Sequence, residues 1–253
     1  MICTQKIDRA KQHMIELKDE IQSFFATRPY GIGAKRNPQT GQLIYYITNA
    51  KNVPDKVALI SGDIIQNLRS ALDYLVYELF ILETGVKTSG RHIYFPIEKD
   101  AKTYEKEKYR KTAGISQKSI KLIDAIKPYK GGNDSLWRIH ELNNIDKHRL
   151  LITVGSSFGS MDIGAHISGT MKKSFPDQNI PSIPLFIKPA DILFPLEVGD
   201  ELFIDAPNAK EIPNMQFRFN IALNEPGIVN GEPVTDLLQS MIDEVEKLVP
   251  IFK

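Results

Sequence analysis

"WRIHELNNIDKHRLLITVG", Trp137 to Gly155, decides how this chain is read. Up to Arg149 the apolar residues recur at helical spacing, with Leu136, Ile139 and Leu142 on one face. From Leu150 onward the texture changes to short β-rich runs separated by Pro, Gly and Asp. The pattern predicts a helix capped at Asp134 or Ser135 and running to Arg149, with a first strand directly behind it. A helical first part followed by a β-rich second part makes the fold class α+β.

If that helix continues through 142–151, Asn143 and Asp146 fall inside its apolar face and Arg149 flanks it. A buried, unpaired carboxylate is costly, so Asp146 should find a cation or several donors. Arg69 is the long-range candidate and Arg149 the local one. Either can make a two-pronged bond that sets register as well as contributing energy. Asp73 sits one turn after Arg69 and can reach it as an i,i+4 neighbour. Asp73, Asn143, Asp146 and Arg149 are therefore expected to form a structural polar network. It would tie two helices together, or a helix end to the first strand.

The opposite face of the same helix carries His140, Asn144 and His148 at i, i+4 and i+8, with Trp137 and Glu141 beside them. These residue types stack on bases, bind metals or move protons. Two histidines eight apart lie about 12 Å apart along a helix axis, too far to share one metal ion. With Arg69 they give a candidate ligand-binding set: Arg69, Trp137, His140, Asn144 and His148. In an enzyme, Arg69 would stabilise phosphate charge and His148 would transfer protons. No metal or cofactor is expected: Cys3 is the lone cysteine and lies near a terminus expected to fray. The chain has no H-E-x-x-H, no Walker loop and no G-x-G-x-x-G.

Outward from this stretch, "QKIDRAKQHMIELKDEIQSFF" (5–25) is a long amphipathic helix on which His13 takes a surface position. "YGIGAKRNPQTGQLIYYITNA" (30–50) reads as a β-hairpin around Asn37–Gly41. Pro54 and Asp55 open a second helix running to about Leu82. Residues 84–115 are mixed, with "HIYFPI" a short strand and the basic run "KEKYRKT" (106–112) a solvated face. A third helix starts at Ser116 and stops before Pro128. Past the junction, His166 reads as a sheet residue, Val198–Glu201 as a hairpin turn, and Pro233 opens a closing helix. The division is residues 1–149, a helical unit with a hairpin insertion at about 30–49, and 150–253, a β-sandwich-like unit with its closing helix.

The chain of 253 residues is 42% hydrophobic and 25% charged, an ordinary globular composition. A net charge of +1 excludes a whole-molecule basic field for nucleic acid. The N-terminus lacks the apolar stretch of a signal peptide, and the most apolar run, Leu72–Leu82, is too short and too charged to span a bilayer. A cytoplasmic protein with no membrane partner is expected.

The blocks "GDIIQNLRSALDYLVYEL" (62–79) and "LWRIHELNNIDKHRLL" (136–151) resemble a family of uncharacterised bacterial and phage proteins, over most of the chain. The helical half is also similar to HEPN domains, helical bundles that often dimerise and include RNases. In active HEPN domains an Arg is followed four to six residues later by His. Here Arg69 begins "RSALDY", and Tyr74 takes the His position. The resemblance implies a HEPN-like bundle and a homodimer through the helical unit. Three functions follow as expectations. The first is binding of a nucleotide-like ligand or RNA phosphate at a polar site between the helical and β units. The second is metal-independent RNase or phosphodiesterase activity. The third is a non-enzymatic phage or bacterial interaction protein.

Overall fold

A computed structural model describes residues 1–87, 92–156, 161–162, 171, 186–187, 193–211 and 217–252. His166 and most of the runs between 157 and 192 lie outside the described residues. Among the described residues the architecture is α+β, with six α-helices and two small antiparallel three-stranded sheets.

Helices α1 (Ile2–Ala26) and α2 (Asp55–Thr84) form the spine. They run antiparallel. Lys56 meets Glu20 at one end, Lys6 Nζ donates to Asn67 Oδ1 in the middle, and the Ile2 amide donates to Glu78 at the other. The apolar stripe of α1 is buried at Ile7, Ala10, Met14, Leu17 and Phe24. Two expectations on this helix are corrected. Cys3 is fully buried, and His13 is 8% exposed beside Glu16. Helix α2 ends at Gly85, whose φ of +70° is a conformation that side chains with a Cβ resist.

Between the two helices lies the expected hairpin, β1 (Tyr30–Arg36) and β2 (Gln42–Ala50). Asn37 shapes its turn by accepting from the amides of Gln39 and Thr40 at 2.9 and 3.2 Å.

Residues 84–115 differ most from the expectation. "HIYFPI" is not a strand; Glu98, just after it, forms an isolated β-bridge to Tyr129. Ala101–Lys111 is a helix, α3, capped by Asp100, which accepts from the Thr103 amide at 2.7 Å. The basic run is not a solvated face throughout. Lys108 and Lys111 are buried: Lys108 reaches Asp124 at 3.0 Å, and Lys111 pairs with Glu98. The run looked surface-like because its buried lysines alternate with exposed residues, and their carboxylate partners lie elsewhere in the chain.

Helix α4 (Gln117–Ile126) begins where the sequence predicts, with Ser116 as its cap. Helix α5 (Asp134–Asp146) is capped by Asn133, one residue before the predicted start, and stops at Asp146, three residues before the predicted end. The remaining strands are β3 (Thr153–Ser156), β4 (Met161–Asp162), β5 (Phe186–Ile187), β6 (Glu201–Pro207), β7 (Asn220–Glu225) and β8 (Val229–Pro233). They are followed by α6 (Val234–Leu248) and a short 3-10 turn, Val249–Phe252.

The two halves are interleaved. The first sheet has the order β1-β2-β6, so a strand from the second half completes the N-terminal hairpin. The turn at Val198–Glu201 leads into that strand and is not a hairpin turn. The second sheet is β3-β7-β8, and β4 pairs with β5. Helix α6 packs on α1, α2 and α5, with Lys11 reaching Glu246 at 2.6 Å. One continuous apolar core takes Leu17, Ile65 and Ile139 from the first half and Leu223, Leu238 and Met241 from the second. No helix among the described residues is long and apolar enough to cross a membrane.

Candidate functional site

Two places matter, and the sequence merged them into one network. The first is the junction where α5 ends. Asp146 does not meet Arg69 or Arg149. Its carboxylate lies over Gly62 of α2, so close that a Cβ there would sit 2.2 Å from Oδ1. Among the described residues it has no hydrogen-bond or ion-pair partner, and burial together with nearby Asp63 raises its pKa. Glycine at position 62 is what admits the carboxylate; the sequence shows that Gly but not what it faces.

Arg149, one turn on, pairs instead with Glu225 of β7. Its Nη1 donates to Oε1 at 2.9 Å and its Nη2 to Oε2 at 2.6 Å. The Ile152 amide donates to the same Oε1 at 2.8 Å. Glu225 is 1% exposed. A carboxylate does tie the helix end to the first strand, and it is Glu225, 76 positions away in the chain. No local pattern marks it; the one available signal was an acidic residue ending an apolar strand run.

The second place lies between α2, α5 and the stretch 93–98. Arg69 is buried at 7% exposure, and its Nη2 donates to Asp73 Oδ1 at 2.8 Å and to the Phe95 carbonyl at 2.9 Å. The Phe95 amide donates back to Asp73 Oδ1 at 3.0 Å. This triangle fastens "FPI" to the helix. Burial lowers the pKa of Arg69 and raises that of Asp73, against their mutual attraction. Arg69 nevertheless remains a cation, because a guanidinium does not deprotonate in proteins. Its Nη1 is buried and has no partner.

His140 of α5 lies within electrostatic reach of Arg69, Lys111 and Lys147. Burial first, and then these cations, hold its pKa down to about 4, so the ring is neutral at pH 7. Asn144 Nδ2 sits 3.2 Å from His140 Nε2. With Asn144 donating, the contact assigns the ring proton to Nδ1, and Nδ1 is buried without a partner. Two buried donors, Arg69 Nη1 and His140 Nδ1, are therefore left without acceptors in one neighbourhood. The sequence missed the other members: the Phe95 backbone, and Lys111, which crosses the Tyr94 ring at 5.2 Å.

The remaining expected residues separate. His148 stands in the exposed turn beyond α5, so the predicted ridge ends at Asn144. Trp137 lines a depression of about 310 Å³ with Lys130, Arg138 and Gly227, with Lys130 Nζ 4.4 Å from the centroid of its ring system. Asn143 is buried in α5 with its Oδ1 unpartnered. Among the described residues, no three His, Cys, Asp or Glu side chains are placed to hold a metal ion. No family model, no curated protein and no solved structure matches this chain.

Proposed function

We propose that the chain binds a phosphate-bearing ligand, a nucleotide-like molecule or RNA, between α2, α5 and residues 93–98, with Arg69, His140 and Asn144 as its contacts. The observation that carries this is the pair of buried donors without acceptors. Buried polar groups are nearly always satisfied, and an orphaned one calls for a missing partner. A guanidinium N–H and an imidazole N–H in one neighbourhood ask for an anionic oxygen. The HEPN-like reading of the bundle agrees with an arginine at its centre, and a cytoplasmic location agrees with the single, buried cysteine.

Binding is favoured over RNA cleavage. A general acid or base works best with a pKa near the operating pH, and His140 at about 4 is too acidic to cycle protons at neutrality.

The test is calorimetric titration with inorganic pyrophosphate and then with AMP. Arg69→Lys replaces the forked guanidinium with a single ammonium, and His140→Ala removes the imidazole donor. Both should weaken pyrophosphate binding about ten-fold or more, the scale of one or two charge-assisted hydrogen bonds at roughly 1.5–3 kcal/mol each. Wild-type affinity in both folded variants would overturn the assignment.

A further inference from the structure

A second cavity, about 460 Å³ in volume, opens where the end of α1 meets β1 and the chain entering β7. Its walls are Phe25, Tyr30, Phe217 and Phe219, with Arg28 and Arg218 at its sides, and no carboxylate among the described residues lines it. Phe25, Phe217 and Phe219 are only half-buried, so ring surface is left open to the cavity. Phe217 and Phe219 lie nearly parallel, 6.4 Å apart at 18°, and Tyr30 meets the edge of Phe219 at 4.9 Å. The Tyr30 hydroxyl is buried and has no partner. Arg28 holds a φ of +50°, unusual for a residue with a long side chain. Among the described residues its guanidinium has no partner.

We infer that this cleft takes a nucleobase and its phosphate, the base lying on the phenylalanine rings and the phosphate meeting Arg28. Aromatic faces beside arginines form the surface on which bases stack with little regard to sequence. The volume falls in the range of small-ligand sites, roughly 300–1,000 Å³. A purely apolar ligand would leave Arg28 without a partner, and a cationic one would be repelled by it.

The cleft is distinct from the Arg69 site. Helices α1 and α2 are antiparallel, and Phe25 lies past Glu20, which pairs with Lys56. From Lys56 to Arg69 the axis of α2 advances roughly 20 Å. The inference does not rest on the reading of the Arg69 site.

Titration of the full chain with AMP and with an eight-residue oligouridylate tests it. Arg28→Asn deletes the cation and keeps a residue that tolerates positive φ. Phe217→Leu deletes a ring face and keeps an apolar side chain. Each variant should weaken binding five-fold or more while His140→Ala leaves this component unchanged. Binding of AMP and oligouridylate alike identifies a free nucleotide unit as sufficient; binding of the oligomer alone identifies single-stranded nucleic acid. No binding of either probe, or binding that both cleft variants leave intact, overturns the inference. Loss in His140→Ala alone would place the nucleotide at the Arg69 site and also overturn it.

Discussion

The Arg149–Glu225 tie behind α5 and the neighbourhood of Arg69 are built from the same residue types, yet they differ in how completely their hydrogen bonds are closed. At the junction both Glu225 oxygens accept from Arg149, and Oε1 also accepts from the Ile152 amide. Around Arg69 the anchoring nitrogen is satisfied twice, while Nη1 and the imidazole Nδ1 are left over. A carboxylate that holds elements together is satisfied by its donors; buried donors left over are the bonding capacity a ligand would use.

The largest expected effect breaks the closed cluster. Arg149→Ala leaves a fully buried carboxylate with one backbone donor, and should cost about 3–5 kcal/mol. Glu225→Gln should cost less, about 1–2 kcal/mol, because the half-exposed Arg149 can turn to water. Equal losses in urea unfolding would contradict the view that burial of the carboxylate sets the cost.

Next comes the Gly62 contact. Gly62→Ala forces a methyl into Asp146 and should cost about 1–3 kcal/mol. In the Gly62→Ala, Asp146→Ala double variant most of that loss should return, as a coupling energy between contacting residues. A double variant no more stable than Gly62→Ala would show that the helix backbone, and not the carboxylate, objects. Asp146→Asn alone should raise the melting temperature slightly at pH 7, since it removes a carboxylate whose ionisation burial and Asp63 oppose.

The remaining effect concerns the open cluster and depends on pH. The His140 pKa falls from an ordinary 6.5 to about 4 on folding, so between those values the unfolded chain binds the extra proton. Its contribution is present above pH 6.5 and is lost as pH falls towards 4. At 1.36 kcal/mol per pKa unit it amounts to about 3 kcal/mol at most. Stability measured from pH 7 to 4.5 should therefore decline less steeply in His140→Gln than in the wild type. Parallel declines would mean that the ring is solvated and the site less enclosed than drawn.

The sequence disclosed the helices by their periodicity, the hairpin by Asn37–Gly41, and the Arg69–Asp73 pair by its i,i+4 spacing. All of these are local. It failed where the deciding partner was distant. Asp146 and Arg149 were joined because they are neighbours in sequence, whereas Gly62 and Glu225 claim them in space. Helix α3 was hidden because its buried lysines are neutralised by Glu98 and Asp124, outside any window centred on them. His140 and Arg69 were expected in one ligand-binding set, but how they come together depends on how α5 crosses α2, which no spacing rule supplies. The aromatic cleft joins residues 25–32 to 217–219, and neither segment alone suggests it.

The pairing of β2 with β6 has a consequence during synthesis. The hairpin is translated roughly 150 residues before the strand that covers its open edge. At about 5–20 residues per second that is an interval of some 8–30 s. Throughout it, β2 presents unpaired backbone groups along Leu43, Ile44 and Tyr45, residues that end up buried. The nascent chain is therefore most exposed to aggregation before its C-terminal half has left the ribosome, and a chaperone that covers sheet edges would act in that window.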